Sequence, residues 1–205
     1  NVPADSPFLP QPGAVASLFE WNVVGEGAFL RNCDYVTNCY IGQGSKIINS
    51  RIMNTYLSDE VTLVGKRDRS KGYVVRKAPE IVEATLMDTI MTLGTRAMNG
   101  CIIRRSVLME CAAVVDSARV TESILGPDAA VGGGECLHSL LGPMAGFHHQ
   151  GLLISTIWPL GRGNLAYGSM VGANHTGRAP DQEGFIGEGI FFGLNVAVKY
   201  PLNLT

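Results

Sequence analysis

The sequence predicts an all-β fold in which the backbone winds as a parallel β-helix with three short strands in each coil. Similar ten-residue phrases recur 17 residues apart, as in VGEGAFLRNC from Val24 and IGQGSKIINS from Ile41. Within each phrase the aliphatic residues lie six apart, with Gly, Ala or Ser between them. This spacing fits neither an amphipathic helix nor an alternating hairpin strand, and six-residue units are typical of β-helices.

Further copies of the phrase begin at Ala97, Val114 and Val131, and the copy at Val131 is one residue short. A coil of this kind points one aliphatic side chain inward from each face and stacks it on its equivalent in the next coil. The corners need residues that tolerate a positive φ, which suits Asn32 and Asn49 as well as glycine. The aliphatic residues expected to line the interior are Val24, Leu30, Ile41, Ile47, Leu57, Leu63, Val114, Val120, Val131 and Leu137.

These six-residue units resemble the left-handed β-helix of the hexapeptide-repeat superfamily. The resemblance covers residues 22–64 and 80–143 well and the remaining residues loosely. It implies a left-handed helix and, because members are commonly trimers, a homotrimer. Members include sugar and serine acyltransferases, nucleotide-sugar pyrophosphorylases and γ-class carbonic anhydrases, so the fold leaves several chemistries open.

Two closer resemblances follow from longer stretches. RRSVLMECAAVVDSARVTESILGPDAAVGGG is similar to the C-terminal β-helix of nucleotide-sugar pyrophosphorylases, whose transfer site lies in an N-terminal domain. That likeness implies an oligomerising and regulatory role for this chain. GFHHQ, NHTG and GFIGEGIFFGLN resemble a family of long, uncharacterised bacterial proteins that are likened to UDP-N-acetylglucosamine pyrophosphorylase.

We expect one β-helix domain over residues 1–205, with regular coils at 22–143 and an elaborated, irregular part at 144–205. Neither end reads as a natural terminus, so we expect a fragment of a longer chain. The net charge of −2 argues against a nucleic-acid-binding protein, and no apolar run is long enough for a membrane helix. Five cysteines without a CxxC motif indicate buried free thiols and a cytoplasmic protein.

A basic loop at 65–79 interrupts the repeat. It contains Lys66, Arg67, Arg69 and Lys71, which are candidates for binding the phosphates of a nucleotide, a nucleotide sugar or coenzyme A. The alternative is a solvated loop whose charges prevent edge-to-edge aggregation.

The second interruption, residues 142–184, is rich in titratable side chains. His175 is the candidate general base of a group transfer, since a histidine titrates near neutral pH. Arg178 and the basic loop would hold the donor, and Trp158 would contact the substrate. If these histidines bind a metal ion, His148 or His149 would join His175 at a Zn site, as the resemblance to the γ-carbonic anhydrases implies. In a structural reading these histidines only form hydrogen bonds between coils.

His138 is predicted to be an exposed residue in the repeat position of Asn49 and Glu122. The leading functional prediction is acyl or nucleotidyl transfer from a sugar nucleotide or similar phosphorylated donor. The alternatives are a non-catalytic oligomerisation module and a metal enzyme of the γ-carbonic-anhydrase type. No membrane or nucleic-acid partner is expected.

Overall fold

A computed structural model of the chain describes residues 21–68, 71–172, 184–198 and 202–204. Its fold is a left-handed parallel β-helix in which each coil contributes one short strand to each of three faces. The described residues contain no α-helix, and therefore no helix that meets the length and hydropathy needed to cross a membrane. The fold class expected from the sequence is confirmed.

Thirty strands make up the described part of the chain. The first ten are β1 (Val23–Val24), β2 (Phe29–Arg31), β3 (Tyr35–Thr37), β4 (Tyr40–Ile41), β5 (Lys46–Ile48), β6 (Arg51–Met53), β7 (Tyr56–Leu57), β8 (Val61–Asp68), β9 (Lys71–Lys77) and β10 (Glu80–Val82). The next ten are β11 (Thr85–Met87), β12 (Ile90–Met91), β13 (Arg96–Met98), β14 (Ile102–Arg104), β15 (Val107–Leu108), β16 (Ala113–Val115), β17 (Arg119–Thr121), β18 (Ile124–Leu125), β19 (Ala130–Gly132) and β20 (Glu135–Leu137). The last ten are β21 (Leu140–Leu141), β22 (Gly146–Phe147), β23 (Leu152–Ile154), β24 (Thr156–Trp158), β25 (Asn164–Leu165), β26 (Met170–Val171), β27 (Gly184–Ile186), β28 (Phe191–Phe192), β29 (Ala197–Val198) and β30 (Leu202–Leu204).

Three parallel sheets form the faces of the solenoid. Face A is the ten-stranded sheet β1-β4-β7-β12-β15-β18-β21-β24-β27-β30. Face B is β2-β5-β10-β13-β16-β19-β22-β25-β28, and face C is β3-β6-β11-β14-β17-β20-β23-β26-β29. The chain runs from face A to B to C in each coil, so the turns between them are the A–B, B–C and C–A corners.

The strand register confirms the spacing read from the sequence. Val24 pairs with Ile41, and Val114 pairs with Val131, each 17 residues apart. These are the first aliphatic residues of the repeated phrases, so equivalent positions of successive copies lie one above the other. Coil-to-coil hydrogen bonds satisfy the backbone, because every strand of the three faces except the terminal ones has a neighbour on both sides.

The interior is a single column of apolar side chains. Six of the expected core residues are fully buried: Ile41, Ile47, Leu57, Val114, Val120 and Val131. Val24 and Leu30 occupy inward positions in the first described coil but stay 54% and 37% exposed, because the described coils stack on only one side of them.

Two core expectations were wrong. Leu63 lies in strand β8, outside the coils, where it pairs with Val75. Leu137 is only half-buried, and its neighbour Cys136 is the fully buried residue of that strand. The copy that begins at Val131 is one residue short, so its second inward position comes one residue earlier.

Asparagine and other polar residues form two of the corners. Asn32 and Asn49 have φ values of 52° and 50°, as expected for the left-handed region. The copies from Ala97, Val114 and Val131 end in Ser106, Ser123 and Ser139, which are buried just before the strands of face A. The Ser123 hydroxyl donates to the carbonyl of Thr121 (2.8 Å) and accepts from the amide of Ser139 (3.1 Å). This pattern satisfies the buried hydroxyls without charge.

The basic interruption is a β-hairpin inserted at the A–B corner. Strands β8 and β9 pair antiparallel from Val61↔Lys77 onward and form their own two-stranded sheet. The coil resumes at Glu80, which pairs with Lys46. The insertion is therefore longer than the loop at 65–79 expected from the sequence, but it leaves the stacking of the coils intact.

The last third is more regular than expected. Strands β22 to β26 continue the three faces with the same parallel pairing. The departure is the link between Val171 and Gly184, with twelve residues (172–183) where the previous coil has two (154 and 155). Ten extra residues therefore enter at the C–A corner.

Candidate functional site

Three charged or titratable side chains are linked along the C–A corner. Arg105, Glu122 and His138 each follow a face C strand, with φ values of 46°, 49° and 49°. Glu122 lies between the other two in successive coils. Its Oε1 accepts from Arg105 Nε and from the terminal guanidinium nitrogen, both at 2.7 Å, and its Oε2 lies 2.7 Å from His138 Nε2.

The ionised carboxylate of Glu122 determines which ring nitrogen of His138 carries a hydrogen. The hydrogen bond from Arg105 lowers the pKa of Glu122 below its ordinary value, and the contact with His138 lowers it further. An ionised carboxylate only accepts hydrogen bonds, so Nε2 of His138 carries a hydrogen and Nδ1 is left for other chemistry. His138 is exposed, as expected, but it is part of a hydrogen-bonded chain.

The backbone on both sides of His138 is held by the coil below. The amide of His138 donates to the carbonyl of Thr121 at 3.0 Å. The next residue, Ser139, is buried, and its amide donates to the Ser123 hydroxyl of that coil at 3.1 Å. The imidazole therefore projects from a rigid corner of the solenoid.

A shallow groove of about 430 Å³ lies between this corner and face A. Its lining combines the three corner residues with the outward side chains of four consecutive strands, β15, β18, β21 and β24. Those apolar side chains are Val107, Ile124, Leu140 and Ile157. A polar edge beside an apolar floor is the composition of a small-molecule site.

Three of the site residues expected from the sequence lie outside the described residues. These are the candidate base His175, the candidate donor-binding Arg178, and Arg69 of the basic hairpin. The described ends of the segment that carries His175 are at the C–A corner. Both ends come one coil after Ser155, which follows His138 in the corner column, and hence two coils after His138.

The basic hairpin is rooted far from that segment within one chain. Lys66 and Arg67 lie in β8 and Lys71 lies in β9, which leave the solenoid after β7. The segment with His175 enters before β27, six steps further along face A. At about 4.8 Å a step, the two roots are about 29 Å apart along the axis. The joint site predicted from the sequence would therefore need a second chain or a long ligand.

His148 and His149 lie at a different corner. They follow β22 at the B–C corner, are both exposed, and have ring centroids 6.5 Å apart. Face C separates this pair from the C–A corner. Among the described residues no three His, Cys, Asp or Glu side chains form a group that could hold a metal ion. The Zn site with His175 stays a prediction.

Trp158 is an interior side chain of face A. It is fully buried, its ring packs edge-on against Phe192 with centroids 6.1 Å apart, and its indole nitrogen donates to the carbonyl of Gly187 at 2.9 Å. It follows Leu141 in the inward column. The substrate contact assigned to Trp158 from the sequence would require these coils to open.

Sequence reasoning missed the chain of Arg105, Glu122 and His138 as a site. The signal was present, since these residues are 17 and 16 positions apart and hence one coil apart. Because the copy at Val131 is one residue short, His138 follows Glu122 by 16 residues and not by the 17 residues of the repeat.

Comparisons with known proteins give only weak similarities. No family model and no curated protein matches the chain. Among solved structures, UDP-N-acetylglucosamine acyltransferase from Campylobacter jejuni is 15% identical, with a TM-score of 0.30, over 75% of this chain and 68% of that one. A Desulfovibrio desulfuricans G20 protein described as an acetyltransferase is 13% identical, with a TM-score of 0.24, over 86% and 32%. These values carry no information on activity.

Proposed function

We propose that the protein is a group-transfer enzyme of the β-helix class, with His138 as its general base. The observation that carries the proposal is the contact between His138 Nε2 and Glu122 Oε2, with Arg105 on the other oxygen. A base oriented by a carboxylate, which is itself held by a third group, is the arrangement that activates hydroxyl and amine nucleophiles.

The transfer that suits this groove is acyl transfer. Nδ1 of His138 takes the proton of an acceptor hydroxyl or amine as the acceptor oxygen or nitrogen bonds to the acyl carbon. The bond from that carbon to the donor breaks, and the leaving group receives the proton from His138. The imidazolium formed in between is stabilised by the adjacent Glu122 carboxylate. The apolar floor of face A would contact the acyl group.

The donor in this proposal is a phosphorylated carrier: coenzyme A, which holds the acyl group as a thioester, or, for nucleotidyl transfer, a nucleotide sugar that releases its sugar 1-phosphate. The working unit is a homotrimer, in which a second copy would cover the open side of the groove. The segment with His175 and Arg178 begins at the same corner as His138, so those two residues are the further candidates for base and donor contact.

Replacing His138 by Gln is expected to lower kcat by about 100- to 10,000-fold, the usual contribution of a general base. The assay offers the 205-residue chain acetyl-coenzyme A, a long-chain acyl-coenzyme A and UDP-N-acetylglucosamine with hydroxyl and amine acceptors, and follows release of thiol from the acyl donors or of sugar 1-phosphate from the nucleotide sugar. His149→Gln is the matched control, since His149 is also exposed but has no carboxylate partner among the described residues. It should retain wild-type kcat.

The same assay separates the two candidate bases. If His175→Gln abolishes transfer while His138→Gln leaves it unchanged, the base is His175 and the assignment of His138 is wrong. A wild-type chain that consumes none of the donors, with any acceptor, would contradict the proposed enzyme and favour the non-catalytic role.

That second function, an oligomerisation module, is favoured by the outer surface of face A. The outward residue of each face A strand from β1 to β24, and of β27, is apolar or aromatic. The most exposed are Val23, Tyr56, Ile90, Ile124, Ile157 and Phe185. A continuous apolar row of this length marks an association surface, and identical copies would bury it against one another.

A lysine in this row should therefore dissociate the oligomer. We expect Ile157→Lys to shift the chain from trimer to monomer in sedimentation-velocity experiments, because a lysine ammonium is costly to bury. Met170→Lys is the control, since Met170 is similarly exposed (47% against 52%) but lies on face C. A wild-type chain that sediments as a monomer, or equal effects of both substitutions, would contradict association through face A.

A further inference from the structure

The first coils carry a pair of stacked tyrosines on face A. Tyr40 and Tyr56 are outward residues of neighbouring strands, with ring centroids 4.9 Å apart and planes only 13° from parallel. The hydroxyl of Tyr40 donates to both carboxylate oxygens of Asp59, at 3.1 and 3.2 Å. Asp59 also accepts from the amide of Gln43 at 2.8 Å, so the hydroxyl end of the Tyr40 ring is held in place.

The stack ends in an open groove. The strand before Tyr40 carries Val23 in the same outward position, so one face of the Tyr40 ring has only a short side chain next to it. Trp21, which is 66% exposed, lies on the same side. The groove has a volume of about 410 Å³ and is lined by these three aromatic residues and Val23. A flat ring placed on Tyr40 would continue the stack.

Two primary amides line the edge of this groove. Asn38 Nδ2 donates to Asn54 Oδ1, and Asn54 Nδ2 donates to Asp88 Oδ1, both at 2.8 Å. Each amide nitrogen has two hydrogens, so one donor on each remains. Within the described residues no side chain donates to Asn38 Oδ1. A neighbouring donor and acceptor on one amide can bind the edge of a nucleobase, as asparagine does with adenine.

The basic hairpin leaves the solenoid from the same coil as Tyr56. The basic hairpin begins at Val61, five residues after Tyr56 and two after Asp59. Its sequence from 61 to 77 contains Arg69 and five other basic residues, and Asp68 is the single acidic one; the five lie within the described strands: Lys66, Arg67, Lys71, Arg76 and Lys77. The coil therefore combines an aromatic platform with a strongly cationic segment, which is the charge that phosphate groups require.

We propose that this groove binds a nucleotide, with its base stacked on Tyr40 between the ring and Trp21, its edge on Asn38, and its phosphates toward the basic hairpin. The site is separated from His138 along face A by the four strand steps from β7 to β21. It stands independently of the group transfer proposed there and holds whether or not that transfer occurs.

The test is titration of the 205-residue chain with AMP and UMP, followed by calorimetry and by Trp fluorescence. We expect binding of at least one nucleotide, with quenching of the exposed Trp21. Tyr40→Leu, which keeps an apolar side chain of similar bulk, should weaken that binding by about 10- to 100-fold, the usual effect of removing one stacking partner. Tyr35→Ala is the control, because Tyr35 is 51% exposed on face C and should leave affinity unchanged.

Other probes identify which part of the ligand is bound. Ribose 5-phosphate, which lacks the base, should bind more weakly than the nucleotide and should be insensitive to Tyr40→Leu. Equal affinity for ribose 5-phosphate and nucleotide would overturn the stacking site, as would absence of nucleotide binding. A Tyr40→Leu chain that changes only its sedimentation, with unchanged nucleotide affinity, would show an aromatic contact between copies and also overturn the proposal. Circular dichroism of each variant checks that the solenoid is intact.

Discussion

Leu141→Ala is expected to lower the free energy of unfolding by about 2–5 kcal/mol, measured by urea denaturation. Leu141 is fully buried in the inward column of face A, between Leu125 and Trp158 in the neighbouring coils. The alanine would leave a cavity between them. The backbone cannot move in to fill it, because its hydrogen bonds fix the spacing of the coils.

The chain supplies its own control one residue away. Leu140 has the same side chain but points outward from the same strand and is only half-buried. Leu140→Ala should cost less than about 1 kcal/mol, in line with substitutions away from the core. The difference between the two losses of unfolding free energy therefore reports whether the leucine side chain points inward or outward. Equal losses at both positions, measured on monomer, would contradict the inward and outward assignment of face A.

Gly142→Ala is expected to cost about 3 kcal/mol or more, the upper range for forcing an extra methyl group into a packed position. A Cβ at Gly142 would meet the carbonyl oxygens of Trp158 and Pro159 and come within 2.7 Å of the amide nitrogen of Gly161. All three are backbone atoms of the next coil, so no side-chain rotation relieves the contact. The thermal midpoint and the urea midpoint should both fall.

Gly27→Ala separates this contact from backbone strain. Gly27 has a φ of +68°, but a Cβ there would have nothing within 4 Å. Its replacement should cost only about 1–2 kcal/mol, the cost of placing a residue with a Cβ in the left-handed region. If Gly27→Ala were as damaging as Gly142→Ala, the loss at Gly142 could not be assigned to the close approach of the next coil.

The sequence predicted the coil well because the repeat and the stacking have the same period. Val24 and Ile41 open two copies of one phrase, and they are direct neighbours in the sheet. Asn32 and Asn49 were expected at positive φ for a local reason, and they have it. Such features depend on residues within one coil, or on residues in equivalent positions one coil apart.

Predictions that depended on the exact register of a single residue were less accurate. Leu137 was expected inside because it lies six residues after Val131, but the coil there is one residue shorter and Cys136 takes the position. Trp158 was read as a ligand contact from its polar surroundings in the sequence. Its register with Leu141 places it in the core.

The sequence by itself determined that the chain coils with a 17-residue period, which aliphatic residues begin each copy, and that insertions enter at two places. The tertiary structure decided which side chains meet across coils: Glu122 with Arg105 and His138, and Tyr40 with Tyr56. The physical reason is that contacts along the axis join residues of different coils, and a coil of 16 or 17 residues changes which of them coincide. The position of an insertion within its coil sets the corner at which it leaves the solenoid, and therefore which residues it can contact.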